Sequence, residues 1–365
     1  MTKRLLYLNG LAILMIPLQH ATGYGLQAMF LWTDQYLPVE VPNYSLLGSF
    51  SYHLIIFIRQ LSTFSVPAFL IISGFFISFL ARGKDANVTW KQVIPRAKVL
   101  LYPFVIWTVL RFVLLRRLPE SIEDILQPYH FIPLLIQFYL LSPFLVRVAK
   151  TNWKLLLGIS LFLHLGIQFY RYAEDMRWML PGQDLVLWLT PRWIFYGQQP
   201  FWFPFGIVFG LHATEFYQKL KTYKWPLLIG TLFFLGLMIT EYYVAFSMSG
   251  EAWMGATFAG ANFSGMVRIF YIFFTILFIL SLDDAILPFP KVVTDLGSRS
   301  LGIYMANIPC IYVTAVLMYR LTPQLLGIQP IYLSVLFAAG VGIPLFLMYL
   351  VRRTPLRSYY RYIFG

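Results

Sequence analysis

The chain has 365 residues, of which 59% are apolar, 19% aromatic and only 12% charged. That leaves too little polar surface to cover a water-soluble domain of this size, so that class is excluded. The net charge of +13 does not argue for nucleic acid, because the basic residues fall in short segments between apolar runs, as the positive-inside rule requires.

Lys3 and Arg4 precede the first apolar run, as in a secretory signal. Asn9, Pro17, Gln19 and His20 interrupt that run and no A-x-A site follows, which favours a retained first span. Stretches long enough to cross a hydrocarbon layer of roughly 30 Å as helices occur at 5–27, 53–80, 93–115, 129–147, 153–170, 198–213, 225–247, 265–283, 299–319 and 330–351. The sixth is the weakest, and a semi-apolar piece, 185–196, precedes it as a re-entrant or interfacial helix. The aromatic content, 34 Phe, 24 Tyr and 10 Trp, suits two interfacial belts. The sequence therefore predicts an all-α, polytopic membrane bundle of about ten helices, one domain over 1–365, in the plasma or inner membrane. Gly206-Ile-Val-Phe-Gly210 has the small-x-x-x-small spacing that lets helices approach closely. The single cysteine, Cys310, excludes an internal disulfide and a Cys-based metal cluster.

Charge counting orients the spans. With both termini cytoplasmic, 19 of the 28 Lys and Arg fall in inner segments, 6 in outer ones, and Arg59, Arg111 and Arg268 within spans. The excess alternates loop by loop, which supports ten spans with cytoplasmic ends.

His20 is the most informative residue. Ionisable groups inside a bilayer are costly and persist where they face protein interior or a watered path, and histidine moves protons near neutral pH. The plainer reading is a packed histidine bonded to a neighbouring helix. At a rise of about 1.5 Å per residue, His20 and Arg59 lie roughly 10 Å from the outer end of their spans. Arg111, Arg268 and Glu241 also fall in the outer half. Five ionisable groups from five helices thus share one level. Arg111 and Arg268 are also placed to snorkel, and Glu241 to pair with an arginine. Arg59 calls for an acceptor or an anionic ligand.

The outer loop 171–197 carries Glu174-Asp175, Arg177-Trp178, Gln183-Asp184 and Arg192-Trp193, followed by Gln198-Gln199. Aromatics among carboxylates and amides suit a sugar, and equally an interfacial belt. The inner loop with Arg82, Lys84, Lys91, Arg96 and Lys98 suits the phosphates of a nucleotide-like donor, or plain positive-inside bias. H-E-x-x-H, G-x-S-x-G, Walker and G-x-G-x-x-G patterns are absent. His53, His130, His164 and His212 sit at span ends or loops without ligand-like spacing, which reads as structural or solvated, and no metal is expected.

Taken together, Tyr7-Leu-Asn-Gly-Leu-Ala-Ile-Leu with His20-Ala21, Arg59 with Ser65-Val-Pro67-Ala-Phe69-Leu-Ile-Ile-Ser73-Gly74-Phe75, Pro95-Arg96 before Tyr102-Pro103-Phe104 and Trp107, Gln137-Phe-Tyr139-Leu-Leu-Ser-Pro143, and Ser300-Leu-Gly-Ile-Tyr304 resemble the membrane-bound acyltransferase 3 family, in order along most of the chain. Two positions depart from the pattern. Relatives usually carry Arg or Lys eleven residues before the first-helix His, where this chain has Asn9. Many carry His soon after the Gly-Ile-Tyr stretch, where this chain has Asn307.

The resemblance implies transfer of an acyl group, most often acetyl, from cytosolic acyl-CoA to a hydroxyl of an extracytoplasmic glycan or glycolipid. Acyl-CoA is then a co-substrate and no cofactor is bound. His20 and Arg59 become the catalytic pair, Arg111, Glu241, Arg268, Glu174 and Asp175 candidates for the acceptor, and Arg82, Lys84 and Arg96 candidates for the donor. Membrane lipid, acyl-CoA and carbohydrate are the expected partners. A transporter of glycans or lipid-linked sugars is the main alternative, since buried Arg, Glu and His also mark substrate pathways.

Overall fold

Inside lipid a long apolar run satisfies its backbone only as a helix or a closed barrel, and here it does so as helices. The computed structural model describes residues 2–81, 87–126, 129–197, 199–249, 263, 265–283 and 286–365. Helix α1 (Thr2–Phe30) is followed by α2 (Phe50–Leu61), a single 3₁₀ turn (Ser62–Phe64) and α3 (Ser65–Ser78). Then come α4 (Trp90–Leu115), the short α5 (Ile122–Leu126) and α6 (Phe131–Asp175). The short α7 (Gln183–Leu189) and α8 (Trp202–Leu211) lead to α9 (Ala213–Thr222) and α10 (Lys224–Ser249). The last helices are α11 (Arg268–Ser281), α12 (Pro290–Ser298), α13 (Ser300–Leu321), α14 (Gln329–Arg353) and α15 (Tyr360–Phe364).

Among the described residues, 7 helical stretches are long and apolar enough to cross a membrane: α1, Phe50–Ala81, α4, α6, α10, α13 and α14. The protein is an integral, multi-pass membrane protein built as an all-α bundle. Two predicted spans shorten. The stretch 198–213 becomes α8, with 10 residues, and 265–283 becomes α11, with 14, about 15 and 21 Å long. The reason is their surroundings: Trp202 to Gly210 are all buried, so α8 need not reach lipid headgroups at its ends. The piece 185–196 is helical only at its start, in the exposed α7.

Helix α6 has 45 residues and would be about 68 Å long if straight. Asn152 breaks it, with φ −150° and ψ 78°, and its Oδ1 accepts the Leu155 N–H at 3.0 Å. Phe138 stacks on Phe203 at 4.8 Å, while His164 meets the neighbouring Trp202 edge-on at 5.7 Å. In a straight helix residues 138 and 164 would lie about 39 Å apart. The chain therefore folds back at Asn152, and arms 131–151 and 153–175 both pack on α8.

Close backbone contacts fix the frame. A Cβ on Gly206 would strike the Ile71 carbonyl, and one on Gly210 the Ser78 hydroxyl, so α8 lies directly on α3. Gly10 and Gly297 meet Val293 and Leu6 carbonyls in the same way, which seats α12 on α1.

The buried apolar residues form two clusters. In α1, Leu5 to Ile16 belong to one and Ala21 to Phe30 to the other. The α2–α3 stretch divides in the same way between Ile56 and Phe64, and α13 between Ala306 and Ile311. Gln19, His20, Arg59, Gln60 and Ser62 occupy the breaks, so a polar layer separates two apolar ones.

Candidate active site

The polar layer contains a cavity of about 530 Å³. Its wall holds three histidines (His20, His130, His164), four arginines (Arg59, Arg111, Arg192, Arg268) and five glutamines (Gln19, Gln27, Gln60, Gln168, Gln199). Tyr24, Tyr312, Trp202 and Phe263 add aromatic surface, and no Asp or Glu lines it among the described residues.

His20 stands in α1 three residues after Pro17, which cannot donate to the Ile13 carbonyl. It lies within electrostatic reach of Arg59 and His130. Arg59 occupies the last turn of α2 and is buried, at 5% exposure. Its Nη1 donates to Thr22 Oγ1 at 3.2 Å and to the Gln19 carbonyl at 3.5 Å. Thr22 Oγ1 itself donates to Gln19 O at 2.7 Å. The Arg59 guanidinium is thus tied to α1 within one turn of His20, at Gln19 and Thr22.

The break between α2 and α3 is built for this. Pro67 has no N–H to give the Thr63 carbonyl. Ser62, Thr63 and Ser65 hydroxyls donate to the carbonyls of Arg59, Gln60 and Ser62 at 2.8, 2.8 and 2.7 Å. Tyr271 of α11 donates to Leu61 O at 2.9 Å. Backbone groups freed from the helix are satisfied by hydroxyls, as burial demands.

Arg111, near the end of α4, donates to the Asp124 carbonyl at 2.8 Å and pairs with its carboxylate at 3.7 Å. Arg117 shares that carboxylate at 2.5 Å. Arg268 opens α11 and lines the cavity. Glu241 does not line it: its carboxylate accepts the N–H groups of Met266 and Val267 at 2.8 and 3.1 Å, just ahead of α11. Glu241 therefore holds the helix start that carries Arg268. Glu174 is exposed and Asp175 half-buried at the end of α6, outside the wall. Arg96 is exposed on α4, donating to Gln92 O at 2.7 Å, and also lies outside the wall. Arg82 and Lys84 lie outside the described residues, as does Gln198.

Two wall residues, His130 and His164, carry no sequence signal for a site. Their positions at span ends or loops read as structural or solvated, whereas Arg192 belongs to the loop whose aromatics, carboxylates and amides suit a sugar or an interfacial belt. Folding brings them in. Gln137 of the first α6 arm donates to Trp193 O at 2.7 Å and accepts from Phe195 N at 3.3 Å. Arg171 of the second arm donates to Thr190 O and, at 3.2 Å, to Gly197 O. Both arms thus grip loop 190–197 by its backbone and hold Arg192 at the cavity.

Asn9 lies deeper along α1. Its Nδ2 donates to Gly297 O at 2.6 Å and to Ser300 Oγ at 2.9 Å, tying α1 to the α12–α13 junction. Asn307 is fully buried and donates to its own helix, at Ile303 O and Tyr304 O. The next residues, Ile308 and Pro309, line the cavity.

A histidine within electrostatic reach of a fixed cation, in a polar layer, can remove a hydroxyl proton while the cation holds a developing oxyanion. A family model described as an acyltransferase domain matches residues 4–351 of the chain. No curated protein and no solved structure matches it.

Proposed function

The chain belongs to the membrane-bound acyltransferase 3 family, and from that premise we propose that it moves an acyl group, acetyl in the simplest case, from cytosolic acyl-CoA to a hydroxyl of an extracytoplasmic glycan or glycolipid. The observation that carries this reading is the meeting of His20 and Arg59 at one cavity. His20 takes the acceptor's hydroxyl proton. The freed oxygen attacks the thioester carbonyl, forming the C–O bond and an oxyanion that Arg59 stabilises. Collapse breaks the C–S bond, and the departing thiolate takes the proton back from His20. The acceptor leaves as an ester and the donor as free CoA.

The topology that suits this chemistry has ten crossings with both termini cytoplasmic, in the cell membrane. The reversal at Asn152 supports two crossings from α6. The cavity-lining residues lie toward the C-terminal ends of α1, α4 and the second α6 arm, and toward the N-terminal ends of the first arm, α8 and α11. Successive helices running in opposite directions bring those ends to one level, here the outer half. Arg96 then lies on the cytoplasmic side, where the donor's phosphates arrive; the donor role proposed for Arg82 and Lys84 rests on the sequence alone. Of the residues suggested for the acceptor, Arg111 and Arg268 line the cavity, while Glu174 and Asp175 lie outside its wall, at the end of α6.

The test is transfer of label from acetyl-CoA into envelope glycan by membranes carrying the wild type or His20→Ala at equal levels of folded protein. Label with the wild type alone supports the reading. Undiminished transfer by His20→Ala rejects the role of His20. Failure of the wild type with acetyl-CoA and longer acyl-CoAs rejects the enzyme in favour of a transporter.

A further inference from the structure

The cavity wall holds four guanidinium groups and no carboxylate among the described residues. They are not equally committed. Arg59 is bonded to α1 and Arg111 to Asp124. Arg192 and Arg268 differ: neither donates a hydrogen bond to, or pairs within 4.0 Å with, any described residue. They are close enough to each other to repel, and Arg171 adds a third positive charge behind them. The loop that carries Arg192 is gripped at four backbone groups, and the helix start that carries Arg268 is gripped by Glu241. Two cations are therefore held near each other; Glu241 and Asp175 lie within electrostatic reach of Arg268 but outside the wall, and no described carboxylate pairs with either guanidinium within 4.0 Å.

Buried polar atoms nearby are also unsatisfied. Gln199 is 8% exposed and His164 4% exposed. Gln199 Oε1 and His164 Nδ1 find no hydrogen-bond partner among the described residues, and both residues line the same cavity. An unpaired buried polar atom is costly, and like charges held together cost more. Both costs are relieved by one occupant, a group with anionic oxygens flanked by hydroxyls. Guanidinium forks match carboxylate and phosphate oxygens, and an amide oxygen accepts a hydroxyl.

We infer that Arg192 and Arg268 seat an acidic group of the acceptor, a sugar carboxylate or a phosphate ester, so that the enzyme selects anionic glycans. This rests on the reading that the cavity receives the acceptor. Neutral acceptors would leave both guanidinium groups unmatched, which makes the site discriminate against them.

The test is binding to the purified full chain in detergent or nanodiscs, read as thermal stabilisation by galacturonate, glycerol phosphate and galactose. Transfer of label from acetyl-CoA is then measured to oligogalacturonate, to the same oligomer with its carboxyls reduced to alcohols, and to a glycerol phosphate oligomer. The wild type should be stabilised by an acidic probe and not by galactose. Arg192→Gln and Arg268→Gln should each raise the acidic acceptor's KM about 10- to 100-fold and leave the acetyl-CoA KM unchanged. Arg192→Lys, which keeps the charge, should retain part of the binding. The acidic probe whose binding depends on the arginines decides between carboxylate and phosphate. Equal stabilisation by galactose, or binding of acids unaffected by both Gln variants, overturns the inference. A rise in the acetyl-CoA KM alone overturns it too, because the arginines then serve the donor. Arginine-dependent acid binding without transfer to any acceptor upholds the anionic site and removes the acyltransfer reading instead.

Discussion

Arg59 Nη1 donates to Thr22 Oγ1 at 3.2 Å, so the cation proposed to hold the oxyanion is aimed by a hydroxyl two residues from the proposed base, His20. Thr22 is itself fully buried. The bond is part of the machinery only if the guanidinium must be held still as charge develops.

Thr22→Val removes that bond with little change of shape. A hydrogen bond to a charged group contributes about 1.5–3 kcal/mol, so kcat should fall roughly 10- to 100-fold with the acyl-CoA KM little changed. Steady-state kinetics on protein of wild-type Tm checks this. A variant with unaltered kcat shows that Arg59 needs no such support.

Asn9→Ala should act on stability. Two hydrogen bonds to the α12–α13 junction are lost, leaving the Gly297 carbonyl without that donor, at a cost of about 1–3 kcal/mol. A lower Tm with unchanged kcat per folded molecule is expected. A collapse of kcat at unchanged Tm would instead put Asn9 in the chemistry.

Gly206→Val should be close to intolerable, because the new side chain meets the Ile71 backbone rather than a movable side chain. Overpacking costs about 1–3 kcal/mol or more. Gly236→Val is the control, since nothing lies within 4 Å of that position. The yield of monodisperse protein in detergent separates the two.

Gln137→Ala releases one end of loop 190–197. Arg192 then loses its fixed position, and the acceptor KM should rise about tenfold. The acyl-CoA KM should hold, because the loop lies far along the chain from the inner basic residues. Equal changes in both constants would mean a general loosening of α6.

Hydropathy located the 7 long apolar helices because lipid leaves a long apolar run no other way to satisfy its backbone. The gap left between 147 and 153 coincides with the reversal at Asn152. The level shared by His20, Arg59, Arg111 and Arg268 could be read from their distances to span ends, and the fold brings all four to one cavity. Glu241 could not be placed this way, since its partners are backbone N–H groups, which carry no sequence signature. His130 escaped because a polar residue at a span end is cheap and therefore uninformative, and for the same reason the loop with Arg192 read equally as a sugar site and as an interfacial belt. His164 escaped because its distance to Trp202 exists only once α6 has folded back.

Loop 190–197 is fastened through main-chain atoms: the carbonyls of Thr190, Trp193 and Gly197 and the N–H of Phe195. Among the side chains between these points, Phe195 also packs edge-on against Phe138 of the first α6 arm at 6.0 Å, while that of Arg192 makes no hydrogen bond to any described residue. Position 192 can therefore change identity without loosening the wall, provided Gln137, Arg171, Phe195 and the crowded Gly197 stay. It is a replaceable position in a fastened segment. Relatives that recognise other acceptors would be expected to differ there, and an engineer wishing to retarget the protein would begin by rewriting Arg192 while leaving both clasps untouched.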